Sequence, residues 1–212
     1  MAYLKVFQDH VREYDQWYDK HPLVFDSEVL AIKEQMAKLP ENIHGVEVGV
    51  GTGRFAEALG IKEGVEPSKE MASLASRRGV EIMLKAAENL PYSDVHFDFI
   101  LFVTICYLKD VPAALSEAYR VLKQGGSLLL AFLDKNSTIV KQYREKGRAS
   151  RFYPDARFYG VETVLKWVQE AGFKQPELIQ TLFGKLEEIT EVQEPMTGSG
   201  EGSFVVLRAI RK

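Results

Sequence analysis

Short continuous apolar runs alternate along the chain with longer segments whose apolar residues recur every third or fourth position. The runs read as buried strands and the longer segments as amphipathic helices. "NIHGVEVGV" and "IKEGVEP" predict two short strands around a small helix that starts near Arg54. A helix "SKEMASLASRR" follows, with Ser68 placed to cap it. Next come a strand "VEIML", a turn "AAENLPYSD", the apolar run "FDFILFVTIC", and a helix "VPAALSEAYRVL" that Gly125 and Gly126 are expected to stop. "SLLLAFL" is a further buried strand. Strands that are apolar throughout have both faces covered, so the pattern predicts a doubly wound α/β fold with a mostly parallel sheet and helices on both faces.

Two regions lie outside this alternation. Residues 1–40 hold the helical segments "YLKVFQDHVREYDQWYDK" and "DSEVLAIKEQMAKL", expected to cap the domain that occupies residues 41–212. The second region begins near Lys135 and contains the basic and aromatic stretch "KQYREKGRASRFYPDARFY", then a helix "GVETVLKWVQEAG". It ends in "KQPELIQTLF", a loop rich in Glu and Gly, and a strand "SFVVLRAI". That loop is too short and too polar for a crossover helix, so the last two strands are expected to form an antiparallel hairpin at the sheet edge, completing a seven-stranded sheet.

With 212 residues and 46% hydrophobic content, the chain suits one domain with a sizeable core. Twenty-seven Lys and Arg against thirty Asp and Glu give a net charge of −3, which argues against a nucleic acid as the main partner. The single Cys106 forms no intrachain disulfide, and no Cys/His spacing suggests a metal site. The first twenty residues lack the apolar core of a secretory signal, and no run of eighteen apolar residues suggests a membrane span. These features predict a soluble protein in a reducing, cytoplasmic setting.

The stretch "VEVGVGTGRFAEAL" carries the chemistry. Gly51-Thr52-Gly53-Arg54-Phe55-Ala56 satisfies the G-x-G-x-x-A pattern of a dinucleotide loop between a strand and a helix. Glu47, however, stands two residues before Gly49, where a carboxylate would repel a pyrophosphate. A ligand with an ammonium and a sulfonium and no phosphate, S-adenosylmethionine, suits that acid better. Glu66 ends the next strand in "GVEPSKEM", where a carboxylate can accept from both hydroxyls of a ribose. Ribose recognition alone leaves both cofactors open, and Glu47 also has a reading as a helix cap or charge partner within the fold.

Taken with these motifs, the chain resembles the class I S-adenosylmethionine-dependent methyltransferases, in particular the small-molecule group that includes the ubiquinone and menaquinone biosynthesis enzymes. "VEVGVGTGRFA" is similar to the family's acidic glycine motif, "GVEPSKEM" to its acidic post-motif, "AAENLPYSDVHFDFI" to its adenine-binding turn, and "EAYRVLKQGGSLLLAF" to the segment closing the fifth strand. "YDQWY" and "FYGVETVLKWVQEAGF" resemble its flanking helices. The resemblance implies a Rossmann-like sheet in which Gly49, Gly51 and Gly53 line the methionine moiety and Glu66 holds the ribose. Pro67 and Met71 would pack near the adenine, the N–H of Ala87 would meet an adenine nitrogen, and Thr104 would face the cofactor. Tyr14 and Trp17 would lie over the methionine end. Ala86 stands where relatives often carry an Asp for the adenine amino group, and Glu88 is the candidate replacement.

Displacement at a sulfonium has an activated leaving group and requires mainly alignment and exclusion of water, so no triad or metal is expected. His21, beside Pro22, is a candidate base. "TICYL" at the end of the fourth strand lacks the Asn/Asp-Pro-Pro-Tyr of enzymes that methylate base or glutamine amides, and one cysteine is too few for metalloid chemistry. Arg144, Lys146, Arg148, Arg151 and Arg157 interleave with Phe152, Tyr153, Phe158 and Tyr159. They read either as a lid over the acceptor, within about residues 135–159, or as a solvated helix face with aromatics turned inward. Tyr3, Phe7, Tyr14, Trp17 and Tyr18 recur at helical spacing and are expected to pack on the domain. The expected activity is methyl transfer to an N, O or C nucleophile of a small molecule. A nicotinamide-dependent oxidoreductase and a non-catalytic cofactor-binding domain are the alternatives.

Overall fold

The computed structural model describes residues 9–146 and 156–212. Tyr3, Phe7, Arg148, Arg151, Phe152 and Tyr153 lie outside the described residues, as does the side chain of Lys146. Helices α1 (Val11–Lys20) and α2 (Pro22–Met36) come first. The alternating part comprises β1 (Gly45–Val48), α3 (Arg54–Leu59), β2 (Glu63–Val65), α4 (Lys69–Arg77), β3 (Glu81–Met83), β4 (Phe97–Val103), α5 (Val111–Val121) and β5 (Leu122–Leu133). Helices α6 (Thr138–Lys146) and α7 (Val161–Glu170) precede β6 (Lys174–Thr181), β7 (Met196–Thr197) and β8 (Phe204–Ile210).

The strand order is β3-β2-β1-β4-β5-β8-β6-β7. The first five strands are parallel, β8 runs antiparallel between β5 and β6, and β7 pairs antiparallel with β6. The sheet thus has eight strands where the sequence pattern gives seven. The additional strand is β7, whose two exposed residues pair Thr197 with Ile179 and Met196 with Gln180. Two residues are too few to show a period, and this ladder follows the path of the hairpin rather than an apolar face.

A second difference concerns Gly125 and Gly126. Helix α5 already ends at Val121, and the glycines lie inside β5, where the register with β4 slips between the pairs Phe97–Leu122 and Phe99–Ser127. Gly125 has φ 79°, and a Cβ on Gly126 would stand 2.8 Å from the carbonyl oxygen of Lys123. The pair makes a bulge rather than a helix stop. Ser68 caps α4 as expected, its Oγ accepting the Met71 N–H at 3.3 Å.

The apolar strands are covered on both faces. Along β4, Ile100 and Phe102 face α5 and α7 through Leu115 and Val164, while Phe99, Leu101 and Val103 face the other layer with Ile32, Phe55 and Ala75. Helix α2 belongs to that second layer, with Val24, Val29, Ala31 and Ile32 buried in it. Among the described residues, no helix is long and apolar enough to cross a membrane.

The order 3-2-1-4-5 reverses between β1 and β4, and the crevice outside the carboxyl ends of those strands is where an open α/β sheet takes its ligand. Gly49, Gly51 and Gly53 turn the chain there with φ of 74°, 57° and 84°. Gly53 is fixed twice over, because a Cβ would also meet Ala75 Cα of α4 at 2.8 Å. Gly53→Ala is expected to lower stability by about 1–3 kcal/mol in chemical denaturation, from overpacking and an unfavourable φ together.

Candidate active site

The crevice contains a cleft of about 610 Å³, its open mouth included. Tyr14, Gly49, Gly51, Glu66, Pro67, Met71 and Thr104 all line it, which brings seven of the residues singled out in the sequence to one place. Its remaining wall is largely apolar, with Phe102, Ile105 and Leu108 from the end of β4 and the turn after it. A smaller adjoining cavity is lined by Glu47 together with Tyr14, Tyr18, Thr52 and Arg54.

Glu66 follows β2 directly and is 5% exposed, so it is no solvated strand end. Its Oε2 accepts the Gly51 N–H at 3.0 Å and its Oε1 accepts the Ser68 N–H at 2.9 Å. These bonds fix the plane of the carboxylate while each oxygen retains a lone pair for a ligand hydroxyl. Burial pushes its carboxyl above the usual range, and the N–H donors of Ser68 and Gly51 partly offset this.

Glu47 is 1% exposed on β1. It accepts the backbone N–H of Ala56 in the first turn of α3, while its Oε2 has no partner. The helix-cap reading therefore holds for half of the carboxylate, and the other half remains to be satisfied. Burial above all, and then the charge of Glu66, raise the Glu47 carboxyl well above the ordinary range. A buried acid in that condition suits a cationic group, which would return it to the charged form.

Thr104 follows β4 with φ 64° and ψ 71°, a conformation that β-branched residues rarely adopt. Its N–H donates to the Ala131 carbonyl at 2.9 Å, which holds the strained turn in place. The residue borders the main cleft, the smaller cavity and a further pocket beside Arg157 and Tyr159, so the strain sits where three spaces meet.

The other candidates lie elsewhere. Gly53 packs on Ala75 beneath the loop. Ala87 is buried in the core cluster that includes α5, and Glu88 Oε1 accepts the Asp110 N–H at 3.0 Å at the start of that helix. Neither is among the residues that line the cleft. Trp17 stacks on His21 with ring centroids 4.4 Å apart, and His21 Nδ1 lies 2.9 Å from the Trp17 carbonyl oxygen. The pair forms the joint between α1 and α2, and His21 lines neither cavity.

One arrangement has no signature in the sequence. Asp15 on α1 binds Arg54 at 2.9 Å and Arg78 at 2.9 Å, and Arg78 also donates to the Thr52 carbonyl at 2.7 Å. Burial opposes the charge on Asp15, but hydrogen bonds from Arg54, Arg78 and Thr52 outweigh it and hold the carboxyl down at about 2. This clamp fastens α1 across the glycine loop and seats Tyr14 over the cleft.

An open α/β sheet with a glycine turn after β1, an acid after β2 and a cleft at the switch point defines a nucleoside-cofactor enzyme. Comparison with known proteins makes the class specific. Residues 46–130 match the family model described as a methyltransferase domain. A crystal structure from Thermotoga maritima of an S-adenosylmethionine-dependent methyltransferase, described as a possible histamine N-methyltransferase, is 43% identical, covers 99% of this chain and 100% of that one, and superposes with a TM-score of 0.93. An uncharacterized protein of Methanocaldococcus jannaschii is 39% identical over 207 residues, 97% of this chain and 98% of its own length. A rice chloroplast 2-methyl-6-phytyl-1,4-hydroquinone methyltransferase is 30% identical over 148 residues, 63% of this chain and 39% of its own. The chain belongs to the S-adenosylmethionine-dependent methyltransferases.

Proposed function

We propose that the cleft holds S-adenosylmethionine and presents its methyl group to a small-molecule acceptor at Thr104. The observation that carries this reading is the unpartnered Oε2 of Glu47, a buried acid at the methionine end of a cleft whose other end is apolar. When bound, the cofactor supplies a methyl group on a cationic sulfur. Glu47 would take the charged amino group, directly or through water, and Glu66 the ribose hydroxyls. Pro67, Met71, Ile105 and Leu108 would enclose the adenine, with Ala87 and Glu88 outside the contact. Tyr14, held by the Asp15 clamp, would close the methionine end and exclude water.

The acceptor would enter beside α1 and α2, which would act as the cap; residues 147–155 of the expected lid over about 135–159 lie outside the described residues. The T. maritima protein's description as a possible histamine N-methyltransferase favours nitrogen among the candidate nucleophiles. The rice hydroquinone methyltransferase is matched over a smaller share of its length. Titration calorimetry with S-adenosylhomocysteine, with NADH as the control, tests the reading. Micromolar binding of the first alone is expected; binding of NADH alone would contradict it.

A further inference from the structure

We infer that the methyl acceptor sits in the pocket that Arg157, Phe158 and Tyr159 form beside Thr104, and that it is a small ring-bearing molecule with an anionic group, which Arg157 binds. This rests on the methyl-transfer reading and narrows it to a substrate class.

Three spaces meet at Thr104, and a sulfonium carries three substituents. The apolar cleft would hold the adenosyl arm and the Glu47 cavity the amino acid arm. The third space, a pocket of about 210 Å³ with its mouth included, is then left for the methyl group and the molecule that takes it. In-line displacement requires the acceptor on the far side of the methyl carbon from sulfur, so the residue that borders all three spaces marks the place of transfer.

Backbone bonds hold the walls of this pocket. The Arg157 N–H donates to the Cys106 carbonyl at 2.8 Å and the Tyr159 carbonyl accepts the Lys135 N–H at 3.0 Å, so residues 157–159 bridge the chain after β4 and the chain after β5. Phe158 packs against the layer that contains α2. Tyr159 packs against the layer of α5 and α7, where its ring meets Trp167 edge-on at 4.9 Å. The buried Phe132 of β5 lines the same pocket, which gives three rings around a space suited to a fourth.

Charge sets the class. Arg157 is exposed and is the one charged residue in the lining, and among the described residues it has no ion-pair partner. Arg54 and Arg78, on the other side of Thr104, are by contrast engaged by Asp15. A guanidinium takes a carboxylate or a phosphate through two parallel N–H···O bonds. The Tyr159 hydroxyl, which burial keeps neutral, can donate to the same anion. Burial also raises the Cys106 thiol, so that residue is a neutral wall. No acid lines the pocket to balance an ammonium, and Arg157 would repel one.

The test uses the full chain. S-adenosylhomocysteine is first titrated into the wild type, Arg157→Gln, Arg157→Lys and Arg77→Gln, the last an exposed arginine of α4 that borders neither the cleft nor this pocket. Absence of binding to the wild type removes the methyl-transfer reading and this inference with it, whereas binding leaves the inference to be decided by the acceptor alone. The saturated proteins are then titrated with phenylacetate, phenyl phosphate, 2-phenylethanol and 2-phenylethylamine, which set a carboxylate, a phosphate, a hydroxyl and an ammonium on the same ring. The wild type is expected to bind at least one of the two anions about tenfold or more tightly than the alcohol and the amine, and the anion it prefers separates a carboxylate acceptor from a phosphorylated one. Arg157→Gln should reduce that preference to about threefold or less, Arg157→Lys should retain part of it, and Arg77→Gln should leave it unchanged. The inference is overturned if neither anion outbinds the alcohol, if the amine binds as tightly as the anions, if the preference survives in Arg157→Gln, or if Arg77→Gln lowers it equally. Should Arg157→Gln fail to fold, Arg157→Lys decides: weaker anion binding with unchanged alcohol binding supports the site, and unchanged anion binding refutes it.

Discussion

Replacing Glu66 by alanine is expected to weaken S-adenosylhomocysteine binding by about 1–3 kcal/mol in calorimetric titration. Two losses combine. The ribose hydroxyls would enter the cleft without their acceptor, and the N–H groups of Gly51 and Ser68, now held at 3.0 and 2.9 Å, would lose theirs. The second loss loosens the glycine turn before any ligand arrives, so part of the cost should appear as lower stability of the free protein. Glu66→Gln separates the two in part, since its amide oxygen serves one N–H while its NH2 faces the other as donor against donor. Unchanged affinity in both variants would remove Glu66 from the site.

The second large effect concerns stability rather than binding. The Glu28 carboxyl stands at about 8 in the folded protein against 4.5 ordinarily, so the folded state holds its proton more tightly than the unfolded chain. The stability linked to that proton is fully present below pH 4.5 and is lost as pH rises to about 8. Glu28→Gln carries no titrating group there. Relative to wild type it should gain on the order of 5 kcal/mol between the two ends of the window and be the more stable protein above pH 8. Glu47 titrates in the same direction but is common to both proteins, so the difference between their denaturation curves isolates Glu28. Parallel curves across the window would show that Glu28 does not carry a buried proton.

That the glycine loop and the acid after β2 line one cleft was legible because their signals are local. Three glycines at alternate positions, an acid two residues before them and another after the next strand are all set by short stretches of backbone at the carboxyl ends of β1 and β2. The parallel core was legible for a similar reason, since strands buried on both faces are apolar throughout. Contacts formed across long separations left no trace. Asp15 is thirty-nine residues from Arg54 and sixty-three from Arg78, so nothing in "YDQWY" distinguishes a clamp from a solvated helix face. Glu28 reads in "DSEVLAIKEQ" as one charge among several on an amphipathic helix, and only its burial without a partner marks it out. Glu88, Trp17 and His21 show the converse, residues of suitable chemistry and spacing whose side chains are engaged elsewhere. The glycines of the β5 bulge failed as a helix stop because a glycine pair serves either turn equally well until the register of the neighbouring strand is known.

On the proposed reading, the charged amino group of the ligand would meet Glu47, whose carboxyl burial raises well above the ordinary range, and would favour its charged form, so that a proton is released on binding. Calorimetric titration of the protein with S-adenosylhomocysteine in two buffers of different ionisation enthalpy, with 5′-methylthioadenosine as the ligand lacking the amino acid end, measures the protons exchanged on binding. Proton release on binding S-adenosylhomocysteine, absent with methylthioadenosine and abolished in Glu47→Gln, is the predicted result. The same proton count for both ligands, or release that persists in Glu47→Gln, would contradict it.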